Sequence, residues 1–232
     1  MKNRDANLYR LEMIAGALGD LLPHVTFVGG GTTVLLVDEA AHFGVRATDD
    51  VDVIVDVATL VEYHRFSDRL RELGFREDAD GPICRWIFTV DSTRLKLDVM
   101  PVDEKILGFS NRWYNAAIKS AQSINLPGGK AIRVVTPPYF LATKFEAFAG
   151  RGAGNYFSHD LEDIVFILEN RSGILDELAA CPAELKNYFA QQAGLLLCDD
   201  FLNVLPGLLN DAAAAGLVER ILRTMFGLDS NA

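Results

Sequence analysis

VTFVGGGTTVLLVDEAAHFGVRATDDVDVIVD, residues 25–56, is the stretch on which the fold turns. An apolar run, VTFV (25–28), enters Gly29, Gly30 and Gly31, after which Thr32 and Thr33 open a helical pattern expected to end near Gly44. Glycine tolerates positive φ and lets the backbone approach a ligand closely, while the N–H groups at a helix start favour a phosphate. The spacing is neither GxGxxG nor GxxxxGK, so by itself the turn reads as a tight strand-to-helix connection. The second half of the stretch adds charge to an apolar strand. Residues two apart in a strand share a face, so Asp50 and Asp52 stand on one side while Val51, Val53 and Val55 enter the core on the other. Asp49 falls on the valine side and is the poorer ligand. Neighbouring carboxylates repel each other unless a cation lies between them. Mg²⁺ takes carboxylate oxygens together with water and substrate phosphates, and so meets that need. Taken alone, the pair is equally a solvated strand face.

A third acid lies further on. RLKLDVM (94–100) puts Leu95, Leu97 and Val99 on one face and Asp98 on the other, beside Arg94, Lys96 and Met100. On a strand neighbouring Asp50 and Asp52, Asp98 is expected either to complete a metal site or to take the proton from an attacking hydroxyl. These runs, with RWIFTV (85–90) and IRVV (132–135), alternate with helical patterns in the manner of an α/β (α+β) domain. LPGGK (126–130) reads as a hairpin or linker turn. From Thr136, an N-cap candidate followed by Pro137, strand patterning stops; Ser158 opens a further helix and the rest is rich in Ala and Leu. The expected organisation is therefore a mixed sheet flanked by helices over 1–130 and a helical domain over 131–232.

Composition sets bounds on function. Of 232 residues half are hydrophobic and 23% charged, enough to bury a core and too apolar for disorder. Lys and Arg number 22 against 32 Asp and Glu, a formal charge of −10, which announces no broad nucleic-acid groove although a local patch is compatible with it. Cys84, Cys181 and Cys198 form no CxxC pair and, with four histidines, offer no zinc spacing, which points to a reducing cytoplasm. The first twenty residues are charged and amphipathic without the apolar core of a secretory signal, and the apolar stretches are too interrupted to span a membrane.

Two glycines, a Thr, a DxD pair and a single Asp on a later strand, in that order, resemble the DNA polymerase β-like nucleotidyltransferase superfamily. Within it, GGGTTVLL and RATDDVDVIV are similar to the abortive-infection AbiEii/AbiGii toxin family, in which a GG[ST] turn precedes an R-x-[ST]-x-D-[IVL]-D segment; Gly30, Gly31, Thr32, Arg46, Thr48, Asp50 and Asp52 fall on that pattern. KFEAFAGRGAGNYFSHDLEDIVFIL is similar to the family's K-x-x-A-x-x-x-R followed by a D-x-x-D helix, placing Lys144, Arg151, Asp160 and Asp163. The resemblance covers roughly residues 25–170. It implies that Asp50, Asp52 and Asp98 hold one or two Mg²⁺ ions and that the Gly30–Thr32 turn grips the phosphates of an NTP. It further implies that Lys144, with Arg151, reaches across a cleft to the triphosphate, and that Asp160 and Asp163 position these cations or the acceptor. The spacer GAGNYFSH between Arg151 and Asp160 departs from the family, where basic residues are frequent.

Other features carry the plainer reading. His159 is expected at the surface, Tyr139, Phe140, Phe145 and Phe148 in packing, and Asp103 and Glu104 in a loop, whereas Trp113 and Tyr114 suit either a nucleobase or internal packing. Three function classes follow. The first is an AbiEii-like enzyme that transfers an NMP to an RNA end, typically tRNA, as the toxin partnered by an antitoxin protein. The second nucleotidylates a small molecule such as an aminoglycoside, a cation that the charge of −10 would suit. The third is a non-catalytic nucleotide-binding or protein-interaction module.

Overall fold

Val25–Val28 (β1) is buried at every position, so both of its faces are covered and it lies inside a sheet. The structure, a computed structural model, describes residues 2–152 and 154–228. The end of the expected helical domain, 229–232, lies outside the described residues. With β1, the strands β2 (Asp50–Val55), β3 (Arg76–Glu77), β4 (Arg85–Val90), β5 (Thr93–Pro101), β6 (Gln122–Asn125) and β7 (Ala131–Val134) form one sheet in the order β3-β4-β5-β2-β1-β7-β6. The pairs β2–β5 and β1–β7 are parallel and the others antiparallel, which makes the sheet mixed. The chain divides into two compact units, Met1–Leu35 with Val45–Thr136, and Leu36–Gly44 with Pro137–Ala232.

The first unit holds the sheet. Asp91 and Ser92, both at positive φ, close the two-residue hairpin between β4 and β5, where Val90 faces Thr93. LPGGK closes the β6–β7 hairpin: Leu126 N–H donates to Lys130 C=O at 2.9 Å, and Gly129 takes a φ of 82° that favours glycine. The helix Leu60–Glu72 starts with a capping box, Thr59 accepting from Glu62 N–H and the Glu62 carboxylate accepting from Thr59 N–H. It buries Tyr63, Phe66 and Leu70, and the Tyr63 hydroxyl donates to the β5 carbonyl of Val99 at 3.4 Å. The helix Asn3–Ala17 buries Leu11, Ile14 and Ala15 and places Asn7 inside, where the carboxamide clamps a loop described below.

The second unit is helical, with Pro137–Ala147, His159–Asn170, Ile174–Ala179, Ala183–Leu196, Asp199–Val204 and Ala215–Phe226 as its α-helices. Phe140, Phe145, Leu161, Ile164, Ile167, Phe189 and Phe201 are fully buried, and Phe145 meets Phe189 edge-on at 6.2 Å. Ser158 is the expected N-cap, accepting from Leu161 N–H at 3.3 Å. The helical pattern after the glycines differs from expectation. It breaks into a 3₁₀ turn (Gly30–Thr32), one α turn (Thr33–Leu36) and a second 3₁₀ segment (Glu39–Gly44). The reason lies in its backbone partners. Leu36 C=O accepts from Arg171 Nη1 at 2.9 Å, and Asp38 N–H donates to Asn170 C=O at 3.0 Å. The Asp38 carboxylate accepts from Ser172 N–H at 3.0 Å. Polar groups that a continuous helix would use are thus satisfied from the end of His159–Asn170. Among the described residues no helix is long and apolar enough to cross a membrane.

Candidate active site

The glycine turn and the β2 acids are built against each other. Val28, the last residue of β1, is the register partner of Asp52. Gly29 has φ 77°, and a Cβ placed on it would lie 1.9 Å from Asp52 Oδ2, so the carboxylate occupies the space that a side chain there would need. Gly30, Gly31 and Thr32 are buried; the Thr32 hydroxyl donates to Gly29 C=O at 2.8 Å and the Thr33 hydroxyl to Gly30 C=O at 2.7 Å, which fix the shape of the turn.

The segment leading into β2 is held as firmly. Asn7 Nδ2 donates to Arg46 C=O at 2.8 Å and Asn7 Oδ1 accepts from Thr48 N–H at 3.1 Å. The Thr48 hydroxyl donates to Asp50 C=O at 3.2 Å and would lie 3.2 Å from a Cβ on Gly31. Arg46 and Thr48 are therefore placed through their backbone by Asn7, and Thr48 packs onto the turn. Asp49 does not join the valines: it precedes the strand, is exposed, and has Arg10 3.7 Å away.

On the neighbouring strand Asp98 is the register partner of Asp52, and Lys96 that of Asp50. Directly paired residues of parallel strands share a face, so the three acids stand on one side of the sheet. Asp98 is 7% exposed, more deeply set than the polar face expected from its strand pattern. Its environment also differs from the expected three-acid metal set, because Arg85, its register partner on β4, holds both of its oxygens. Nε donates to Oδ1 and Nη2 to Oδ2, each at 2.8 Å, and Nη2 donates to Asp50 Oδ2 at 2.8 Å as well. The hydrogen bonds that Arg85 donates to Asp98, and the charges of Asp98 and Asp50, raise the pKa of Arg85 further. Burial, then the nearby carboxylates of Asp98 and Asp52, push the Cys84 thiol up to about 12, so it stays protonated. Among the described residues no three His, Cys, Asp or Glu side chains are disposed to hold one metal ion. The donor set suits a divalent ion on Asp50 and Asp52 completed by water and phosphate oxygens, and does not suit three protein carboxylates.

In the second unit the four residues singled out by sequence come together. Lys144 Nζ lies 3.1 Å from Asp160 Oδ1 and 2.7 Å from Asp163 Oδ2, and Arg151 donates from Nε and Nη2 to the two oxygens of Asp160 at 2.9 and 3.0 Å. Both acids lie on one face of His159–Asn170, as their spacing requires. The helix bearing Lys144 ends at Ala147 and continues as a π turn, Phe148–Gly152, which carries Arg151. Burial pushes the carboxyl of Asp160 up, but the hydrogen bonds from Arg151 and the charge of Lys144 outweigh it and leave the pKa below its ordinary value. His159 is exposed and meets Glu162 at 2.8 Å; Asp103 caps the short helix Glu104–Leu107. Trp113 and Tyr114 are buried, with the Tyr114 hydroxyl 3.1 Å from Met100 Sδ.

Arg85 and Asn7 were not singled out by sequence. The signal for Arg85 was a lone cation opening an apolar strand; for Asn7 there was only an amide among the alternating residues of an amphipathic helix.

Taken together, the mixed sheet with a glycine turn after β1, acids on the neighbouring strands β2 and β5 and a following helical unit is a nucleotidyltransferase-type fold. A solved structure described as an antigenic nucleotidyltransferase-like protein from Paracoccidioides brasiliensis is similar to this chain, with a TM-score of 0.54 over 91% of this chain and 96% of that one. At 16% sequence identity the likeness is one of fold. No family model matches the chain, and no curated protein does.

Proposed function

We propose that this chain is a Mg²⁺-dependent nucleotidyltransferase that moves a nucleoside monophosphate from an NTP to an acceptor hydroxyl and releases pyrophosphate. The observation that carries the reading is the position of Asp52: in register with Val28 and with Asp98, its carboxylate fills the space over Gly29, so a phosphate-approaching turn and a carboxylate pair are neighbours. Asp50 and Asp52 bind the ion, and Gly30, Gly31 and Thr32 meet the phosphates, while Arg46 and Thr48 set the entry to the strand. A divalent ion bound there supplies charge stabilisation for in-line attack on the α-phosphorus. Within the second unit Lys144 and Arg151, held by Asp160 and Asp163, are cations of the kind that offset phosphate charge.

The proposed acceptor is an RNA end, tRNA in particular, with the chain acting in the cytoplasm as an AbiEii-like toxin restrained by an antitoxin protein. The GG[ST] and R-x-[ST]-x-D-x-D spacing supports that choice. A second reading, transfer to a cationic small molecule such as an aminoglycoside, is favoured by the formal charge of −10.

A labelled NTP mixture offered with cellular RNA, and separately with aminoglycosides, tests both. Asp50→Asn and Asp52→Asn keep side-chain size and remove the charge that binds the ion, so transfer should fall by orders of magnitude while the circular dichroism spectrum is kept. Folded wild type that transfers to neither acceptor, or variants as active as wild type, would overturn the reading.

A further inference from the structure

Arg85 is placed by sheet register, as the β4 partner of Asp98, and its planar fork meets that carboxylate with two parallel hydrogen bonds of 2.8 Å while its Nη2 also reaches Asp50. Bidentate guanidinium–carboxylate pairs are the strong form of charge-assisted hydrogen bonding. The Arg85 and Asp98 side chains are 17% and 10% exposed, so separating them would leave poorly hydrated charges. A guanidinium keeps its proton throughout the physiological range, which makes Arg85 a permanent positive charge between two of the three acids. A second ion on Asp98 would have to displace the guanidinium from both carboxylate oxygens, whereas at Asp50 Arg85 holds Oδ2 only, so an ion there can use Oδ1.

We propose that Arg85 takes the place of an ion at Asp98, so that the chain holds one divalent cation, on Asp50 and Asp52, and Asp98 positions Arg85 instead of ligating metal. The inference rests on the nucleotidyl-transfer reading for the presence of an ion, and on Arg85 alone for the number of ions.

Mn²⁺ alone, titrated into the full chain and counted by electron paramagnetic resonance, tests it. Wild type should bind one Mn²⁺ per chain. Asp52→Asn, which removes a direct ligand, should weaken that site by at least about 10–100-fold, the range for losing a supporting partner, whereas Asp98→Asn should keep the count of one and an affinity close to wild type. Arg85→Gln removes the charge and releases Asp98, so it should bind Mn²⁺ about tenfold more tightly or take a second ion. Adding Asp98→Asn to that variant should cancel the gain. Two Mn²⁺ ions on wild type, loss of the ion in Asp98→Asn, or no gain in folded Arg85→Gln would each overturn the inference and leave the nucleotidyl-transfer reading standing. No Mn²⁺ on wild type would overturn both. Should Arg85→Gln fail to fold, the wild-type count and the Asp98→Asn titration decide the matter by themselves.

Discussion

Gly29 shows how much a single residue can carry at this site. Its φ of 77° is adopted reluctantly by residues with a side chain, and the methyl of Gly29→Ala would fall on the Asp52 carboxylate. We expect that substitution to destabilise the fold by about 1–3 kcal/mol, read from the urea midpoint. It should also weaken Mn²⁺ binding, because Asp52 must move; a variant with wild-type midpoint and affinity would show that the close approach is not maintained in solution. The glycines and the pair Asp50, Asp52 were legible because both signals are local: a turn residue type, and a spacing of two. Arg85 was not. Its role comes from pairing with Asp98 thirteen positions away across a hairpin, and the register of that hairpin is a property of the sheet, invisible in RWIFTV read alone.

Among the elements, strands with a buried face were readable and those without one were not. VTFV, RWIFTV and RLKLDVM coincide with or lie within β1, β4 and β5, while β3 and β6, exposed at most positions, have no apolar alternation to announce them. The packed helices Pro137–Ala147 and His159–Asn170 bring a chemical expectation of their own. Since the folded pKa of Asp160 lies below its ordinary value of 3.8, its pairing with Arg151 and Lys144 stabilises the fold fully above that value. The contribution is lost as the pH falls from 3.8 through the depressed folded value. Asp160→Asn should therefore be less stable than wild type at neutral pH, with the difference shrinking across that acid window. Urea midpoints between pH 6 and pH 2.5 check this, and a gap that stays constant with pH would show that Asp160 acts through its shape alone.

For the molecule as a whole, the chain passes between the two units three times, because Leu36–Gly44 belongs with Pro137–Ala232 although it is flanked by the first unit's sequence. Nothing in VLLVDEAAHFG announces this. The segment is anchored by backbone groups of Leu36 and Asp38 that meet Arg171 and Asn170, by the Asp38 carboxylate that accepts from Ser172 N–H, and by Gly44, where a Cβ would collide with Asn210. A fragment of residues 137–232 is accordingly expected to melt at a lower temperature than the same fragment carrying residues 36–44 fused through a flexible linker, since it lacks those hydrogen bonds. Equal melting temperatures would show that the segment is dispensable. The same connectivity orders events in time. During synthesis Leu36–Gly44 leaves the ribosome roughly ninety residues ahead of Pro137, which at usual elongation rates is a wait on the order of ten seconds. GGGTT and RATDDVD, the two halves of the proposed ion and phosphate site, flank that waiting segment, so a nascent chain cannot finish the loop between them until Asn170, Arg171, Ser172 and Asn210 have been made.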